Sequence, residues 1–112
     1  MPESLVVLWT SGDRDVALKM VFMYTLAAKK NGWWEDITLI VWGASALLAA
    51  NDTEIREHLT GMKDAGVKLE ACSACANMYG VAGNLAALGI DVRGMGVPLT
   101  EYIKSGRRVL TF

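Results

Sequence analysis

The sequence predicts an α/β domain: a five-stranded, mostly parallel sheet with helices on both faces. Three observations carry this. Short apolar runs recur along the chain, each followed by a segment of helical periodicity. Glycines and capping residues punctuate the junctions between them. The resulting order, β-α-β-α-β-α-β-α-β, demands crossover connections, which make strands parallel and lay helices against the sheet. The 112 residues amount to one domain, spanning 1–112.

Leu5-Val6-Val7-Leu8-Trp9-Thr10 is the continuous apolar run required of a strand buried on both sides. Ser11-Gly12 forms a tight turn, and Asp13 is the N-cap of a helix reaching about Lys30. Cations occupy the last turn of that helix, and Gly32 stops it. Val16, Met20, Tyr24 and Ala27 form one apolar stripe along it; Leu18, Phe22 and Leu26 form a second. A helix that is apolar on two faces is covered on both. In so small a domain the second cover is another subunit, so a homo-oligomer is expected.

Asp36 to Gly43 is the second buried strand; Ala44 to Ala50 is ambiguous by pattern, with Ser45 a candidate cap for a short helical turn. Asn51-Asp52-Thr53 supplies caps for a helix through Ala65, which Gly66 stops. Ile55, Leu59 and Met62 are its inward residues, and His58 lies on its solvated side. Val67 to Ala71 alternates apolar and polar residues as a third strand. Ala74–Tyr79 and Val81–Leu88 read as two helical segments parted by Gly80, with Gly89 closing the second. Ile90 to Arg93 is a short fourth strand ending in Gly94-Met95-Gly96. Pro98 sits in the first turn of a last helix, where its missing N–H costs nothing. That helix ends at Ser105-Gly106, and Arg107 to Phe112 is the fifth strand.

Composition narrows the function classes. A hydrophobic content of 53% fills a core, and a net charge of −1 argues against an electrostatic nucleic-acid binder. Lys104, Arg107 and Arg108 read as a solvated face around a turn. The apolar, uncharged stretch Ile37 to Ala50 has 14 residues, short of the roughly 20 that span a bilayer. The first residues lack a basic leader, so no membrane association and a cytoplasmic location are expected.

In parallel folds, ligands bind beyond the carboxyl ends of the strands. The residues expected there are Trp9, Thr10, Ser11 and Gly12; Trp42, Gly43 and Ser45; Cys72; and Gly94, Met95 and Gly96. Cys72 falls where the third strand stops, and Cys75 where a helix starts. These two are the only cysteines. A thiol at a helix start meets unpaired N–H groups and the positive end of the helix dipole, which favour its thiolate.

Four readings of the pair compete. Free cysteines are often small buried hydrophobes. A structural zinc needs four ligands, and the chain adds only His58, so no metal is assigned. A thioredoxin-like dithiol conflicts with the position of the motif after the third strand and with Val97-Pro98 leading into a helix. A persulfide carrier needs one nucleophilic thiolate in a place open to a partner, which Cys72 supplies. The Ser11-Gly12-Asp13 turn matches neither nucleotide-binding glycine pattern, so no cofactor is assigned. Trp9 and Trp42 are candidate pocket walls, with core packing as the competing role.

Gly66-Val67-x-x-x-Ala71-Cys72-x-x-Cys75-Ala76-x-x-x-Gly80-Val81, together with Met95-Gly96-x-Pro98-Leu99-Thr100-Glu101-Tyr102 and Val109-Leu110-Thr111-Phe112, resembles the DsrE/DsrF-like (TusD-related) sulfur-relay family. The cysteine segment is its specific part. The resemblance implies a three-layer α/β/α fold, assembly into trimers or hexamers, and sulfur handling through a persulfide. It implies Cys72 as the sulfur acceptor, and sulfur-donor and sulfur-acceptor proteins as partners. Cys75 departs from the single-cysteine pattern of the multi-subunit relays and fits the small single-chain members. Two readings of function therefore stand side by side. One is a sulfurtransferase-like carrier on Cys72 with Cys75 as resolving or assisting thiol. The other is a non-enzymatic, oligomeric small-ligand-binding module of the same fold.

Overall fold

In a computed structural model, which describes residues 3–112, five strands form one sheet: β1 (Ser4–Trp9), β2 (Asp36–Val41), β3 (Lys68–Cys72), β4 (Asp91–Arg93) and β5 (Arg108–Thr111). Their order is β4-β3-β2-β1-β5, and every pairing is parallel. The apolar runs behave as central strands must: Ile37 to Val41 are all buried. β2 ends at Val41 rather than Gly43, because Gly43 turns the chain with a φ of 69°, the left-handed region that glycine enters without strain.

The first helical body consists of α1 (Arg14–Val16), a π-helical turn (Ala17–Val21) and α2 (Phe22–Lys30). The Asp13 carboxylate caps it, accepting the N–H groups of Asp15 and Val16. Of the two apolar stripes expected of this helix, Phe22 lies in the buried seam, Val16, Leu18, Tyr24 and Leu26 flank it partly buried, and Met20 faces out. Ala17, Val21, Thr25 and Ala28 are fully buried, whereas Met20 and Met23 stand 41% and 64% exposed. Small side chains let the helix sit close to the sheet, and the wider π-turn rotates the seam off a regular stripe.

Four further helical segments follow the second and third strands: α3 (Ser45–Asn51), α4 (Thr53–Asp64), α5 (Ser73–Met78) and α6 (Ala82–Ala87). Asp52 is the cap of α4, accepting the Ile55 N–H. Ser45 does not cap α3. It is the first residue of that helix, fully buried, and its hydroxyl bonds the Trp9 and Trp42 carbonyls at 2.6 and 3.1 Å. The demand of two strand-end carbonyls overrides the capping preference. α7 (Gly96–Lys104) joins β4 to β5 across the sheet.

The two faces are covered unequally. Leu5, Val7, Trp9, Leu39, Val41, Leu69 and Ala71 point to the side that α2 to α6 cover, where Val21, Ala46, Leu59, Ala76 and Leu85 join one continuous core. The opposite side holds a small cluster, Val6, Ile40, Cys72 and Met95, with Leu99, Tyr102 and Val109 partly buried against it. α7, its helical cover, has no fully buried residue.

Candidate functional site

The chain leaving β3 turns into α5 on the crowded face, whereas the chain leaving β4 turns into α7 on the sparse face. Adjacent strands whose exits diverge leave a crevice at their carboxyl ends. Cys72 and Arg93 are register partners there, with Cα atoms about 4.8 Å apart. Cys72 is both the last residue of β3 and the N-cap position of α5, with extended backbone (φ −71°, ψ 115°). Ser73, Ala74 and Cys75 open the helix. Both cysteines are free thiols.

Alternation along β3 sends Leu69 and Ala71 to the main core and Glu70 and Cys72 to the α7 side. Cys72 is only 6% exposed, packed with Val6, Ile40 and Met95. Cys75, Trp42, Leu99 and Tyr102 surround this cluster and are partly buried. Cys75 is thus the more accessible thiol of the pair.

One step back along β3, Glu70 is completely buried. A buried carboxylate must be paired and hydrogen-bonded, and Glu70 is both. It accepts the Tyr102 hydroxyl at 2.7 Å and a short charge-assisted bond from the Arg93 guanidinium. Lys68 lies 3.9 Å away as a weaker partner, and Asp91 takes the Arg93 Nε at 3.1 Å. Burial, then the bond to Glu70, pushes the Tyr102 phenol above its ordinary value. The hydrogen bond that Arg93 donates to Glu70 likewise raises the Arg93 value. The Arg107 guanidinium lies 4.4 Å over the Tyr102 ring and donates to the buried Thr38 hydroxyl at 3.1 Å. α7 is therefore attached to the sheet through a polar network that begins beside Cys72.

Of the residues expected at the strand ends, the structure brings Cys72, Cys75, Trp42 and Met95 into one cluster. Trp9 lies on the other face, fully buried, with its ring edge-on to Phe22 at 5.1 Å. Thr10 and Ser11 bind the Phe112 carbonyl through their N–H groups, and the Ser11 hydroxyl accepts the Asp13 N–H. Gly12 approaches Ala44 so closely that a Cβ would stand 3.2 Å from the Ala44 Cβ. It lines a separate hollow of about 430 Å³ with Leu47 and Leu48. Ser45 is occupied by strand-end carbonyls, as described above. Gly43 makes the turn before it; Gly94 and Gly96 are exposed on either side of Met95. His58 is exposed, stacked on Phe22 at 5.7 Å.

Glu70, Arg93 and Tyr102 are the residues that sequence reasoning passed over as a site. A signal existed: a carboxylate in the middle of a strand otherwise flanked by Leu69 and Ala71. Alternation assigns Glu70 to solvent, but in a parallel sheet covered on both faces that position points under a helix. Among the described residues, no three His, Cys, Asp or Glu side chains gather as a metal site. No helix of the described residues is long and apolar enough to cross a membrane.

Three solved structures share this architecture. A conserved protein of unknown function from Bacteroides thetaiotaomicron is 44% identical, with a TM-score of 0.96 over 98% of this chain and 95% of its own. A protein of unknown function from Methanobacterium thermoautotrophicum is 17% identical, with a TM-score of 0.79 over 97% and 98% of the two chains. The ychN protein from E. coli is 16% identical, with a TM-score of 0.76 over the whole of both chains. The last two show likeness of fold alone. Among curated proteins, none matches this chain. The model of the DsrE/DsrF-like family matches residues 3–112, and the chain belongs to that family.

Proposed function

We propose that this protein carries sulfane sulfur on Cys72, with Cys75 as the resolving thiol. The observation that supports this most directly is the place of Cys72 in a chain of this family. It ends β3 at the divergence of the β3 and β4 exits and opens a helix, beside a second thiol. In the first step the Cys72 thiolate attacks the outer sulfur of a donor persulfide. The donor S–S bond breaks, the donor leaves as a thiolate, and Cys72 becomes a persulfide. An acceptor thiolate then takes the outer sulfur by the same exchange. In its absence, the Cys75 thiolate attacks the Cys72 Sγ and expels hydrosulfide. A Cys72–Cys75 disulfide remains, which a dithiol reductant reopens.

Self-association belongs to the same proposal. Met23, Trp33, Met78, Val97 and Ile103 are each more than half exposed, apolar side chains on both faces of the sheet for other copies of the chain to cover. Light scattering at micromolar concentration reads the oligomer directly, and a monomer removes this part. Cytoplasmic location and donor and acceptor proteins complete the reading.

A second reading, a non-enzymatic ligand-binding module, is favoured by one observation: Cys72 is only 6% exposed. Intact mass after incubation with a persulfide donor separates the two. If Cys72 is the carrier, Cys75→Ser gains the mass of sulfur and Cys72→Ser does not, while wild type passes through the same gain to the disulfide, two hydrogens lighter than the dithiol. If none gains it, the sulfur reading falls and the module reading stands.

A further inference from the structure

A carrier thiol must meet its partners, yet Cys72 is 6% exposed, buried in the cluster that Met95 and the α7 residues Leu99 and Tyr102 help to close. α7 has no fully buried residue, so apolar burial alone holds it weakly. Its most specific tie to the sheet is the Tyr102 hydroxyl on the buried Glu70, which Arg93 holds in turn. Tyr102 is two turns from the start of the helix, and Arg93 is the register partner of Cys72. The tie that holds this helix therefore sits on the strand of the thiol and on its neighbour β4, two residues along β3 from Cys72.

We propose that Glu70, Arg93 and Tyr102 are positioning residues that form a latch on α7, and that Cys72 becomes accessible when the latch opens. The inference deepens the carrier reading and rests on it for its purpose. The geometry fits a local opening. The main core lies on the other face of the sheet, so lifting α7 leaves that core intact. The freed partners are tolerable in water: Arg93 is already 43% exposed, and Tyr102 and Glu70 regain hydration as α7 leaves. Local openings of this kind lie below global unfolding in free energy. Access to the thiol then follows the stability of one charge-assisted hydrogen bond rather than that of the fold.

The test reads access and not sulfur transfer, so its failure and that of the carrier reading are separable. In a Cys75→Ser background, alkylation of Cys72 by iodoacetamide is followed by intact mass, with and without Tyr102→Phe. The phenyl ring keeps its shape and loses only the bond to Glu70. The expected result is alkylation about tenfold faster, the ratio that loss of one hydrogen bond to a charged group gives the opening equilibrium. The urea-unfolding midpoint reports the fold separately. Lys104→Ala, at an exposed α7 position, should leave the rate unchanged. An unchanged rate in Tyr102→Phe overturns the latch, as does acceleration that Lys104→Ala reproduces. Hydrogen exchange on the unmutated chain gives an independent reading. The α7 amides should open with the same equilibrium constant that limits Cys72 alkylation; exchange only through global unfolding overturns the proposal.

Discussion

Replacing Glu70 by Gln isolates the charge in the buried network while keeping its shape. Tyr102 retains an acceptor on the amide oxygen. The other amide position, however, presents N–H donors to the Arg93 guanidinium, where the carboxylate accepted one of its bonds. A hydrogen bond to a charged group contributes about 1.5–3 kcal/mol. Arg93 is 43% exposed and rehydrates when it loses its partner, which keeps the loss near the lower end. Lys68, at 3.9 Å and 64% exposed, adds little. The neutral amide is also easier to bury than the carboxylate. The expected net loss is about 1.5 kcal/mol, or roughly 6 °C in midpoint for a domain of this length. Thermal and urea unfolding, followed by tryptophan fluorescence, measure it. Glu70→Ala should cost more, about 3 kcal/mol, because both donors are orphaned and a void opens. A Gln variant as stable as the parent would refute this account. It would mean that the desolvation cost of the carboxylate cancels its bonds and that Leu99 and Val109 hold α7 by themselves.

Leu59 is fully buried in the main core, and Leu59→Ala should cost about 2–5 kcal/mol, read as a lower urea midpoint. Asp52 is held below the ordinary carboxylate value of 3.8, first by its hydrogen bond with Arg14 and then by the Ile55 N–H. Its contribution is complete above that value and is lost as pH falls through the lower folded-state value. The stability gap between wild type and Asp52→Asn, which keeps the cap, should therefore shrink below about pH 4. For Tyr102, whose phenol is raised above 10.0, the sign is opposite. Its contribution is complete below pH 10 and is lost as pH rises through the folded-state value. In ultraviolet titration of the folded protein, the phenolate signal missing from Tyr102→Phe should be the part that appears above pH 10.

Element order was legible in the sequence because nearly every junction carries a chemical mark. Asp13 and Asp52 cap their helices through carboxylate bonds, and Gly66, Gly80 and Gly89 each turn with positive φ. These are local preferences, visible in a few residues. Cys72 was legible for the same reason, since a strand end and a helix start meet on it. The Glu70–Arg93–Tyr102 network was not legible. Its members come from β3, β4 and α7: strand pairing brings Arg93 to Glu70, and Tyr102 joins them only because the last helix crosses back over the sheet. Ser45 went astray for a similar reason: its partners, Trp9 and Trp42, lie on two different strands. Periodicity in the first helix gave the helix but misplaced its buried line, since a single π-turn shifts every later residue around the axis.

The pairing of β1 with β5 has a kinetic consequence. The first strand is complete on one edge only when the last strand arrives, and the contact between Thr10 and Phe112 spans 102 residues. Until then β1 presents unpaired N–H and C=O groups that a second chain can engage. Closing so long a loop is slow. The assembly of β1, β2 and β3 around the main core should therefore precede docking of β5. The interval between the two is the time in which this protein is most prone to aggregate.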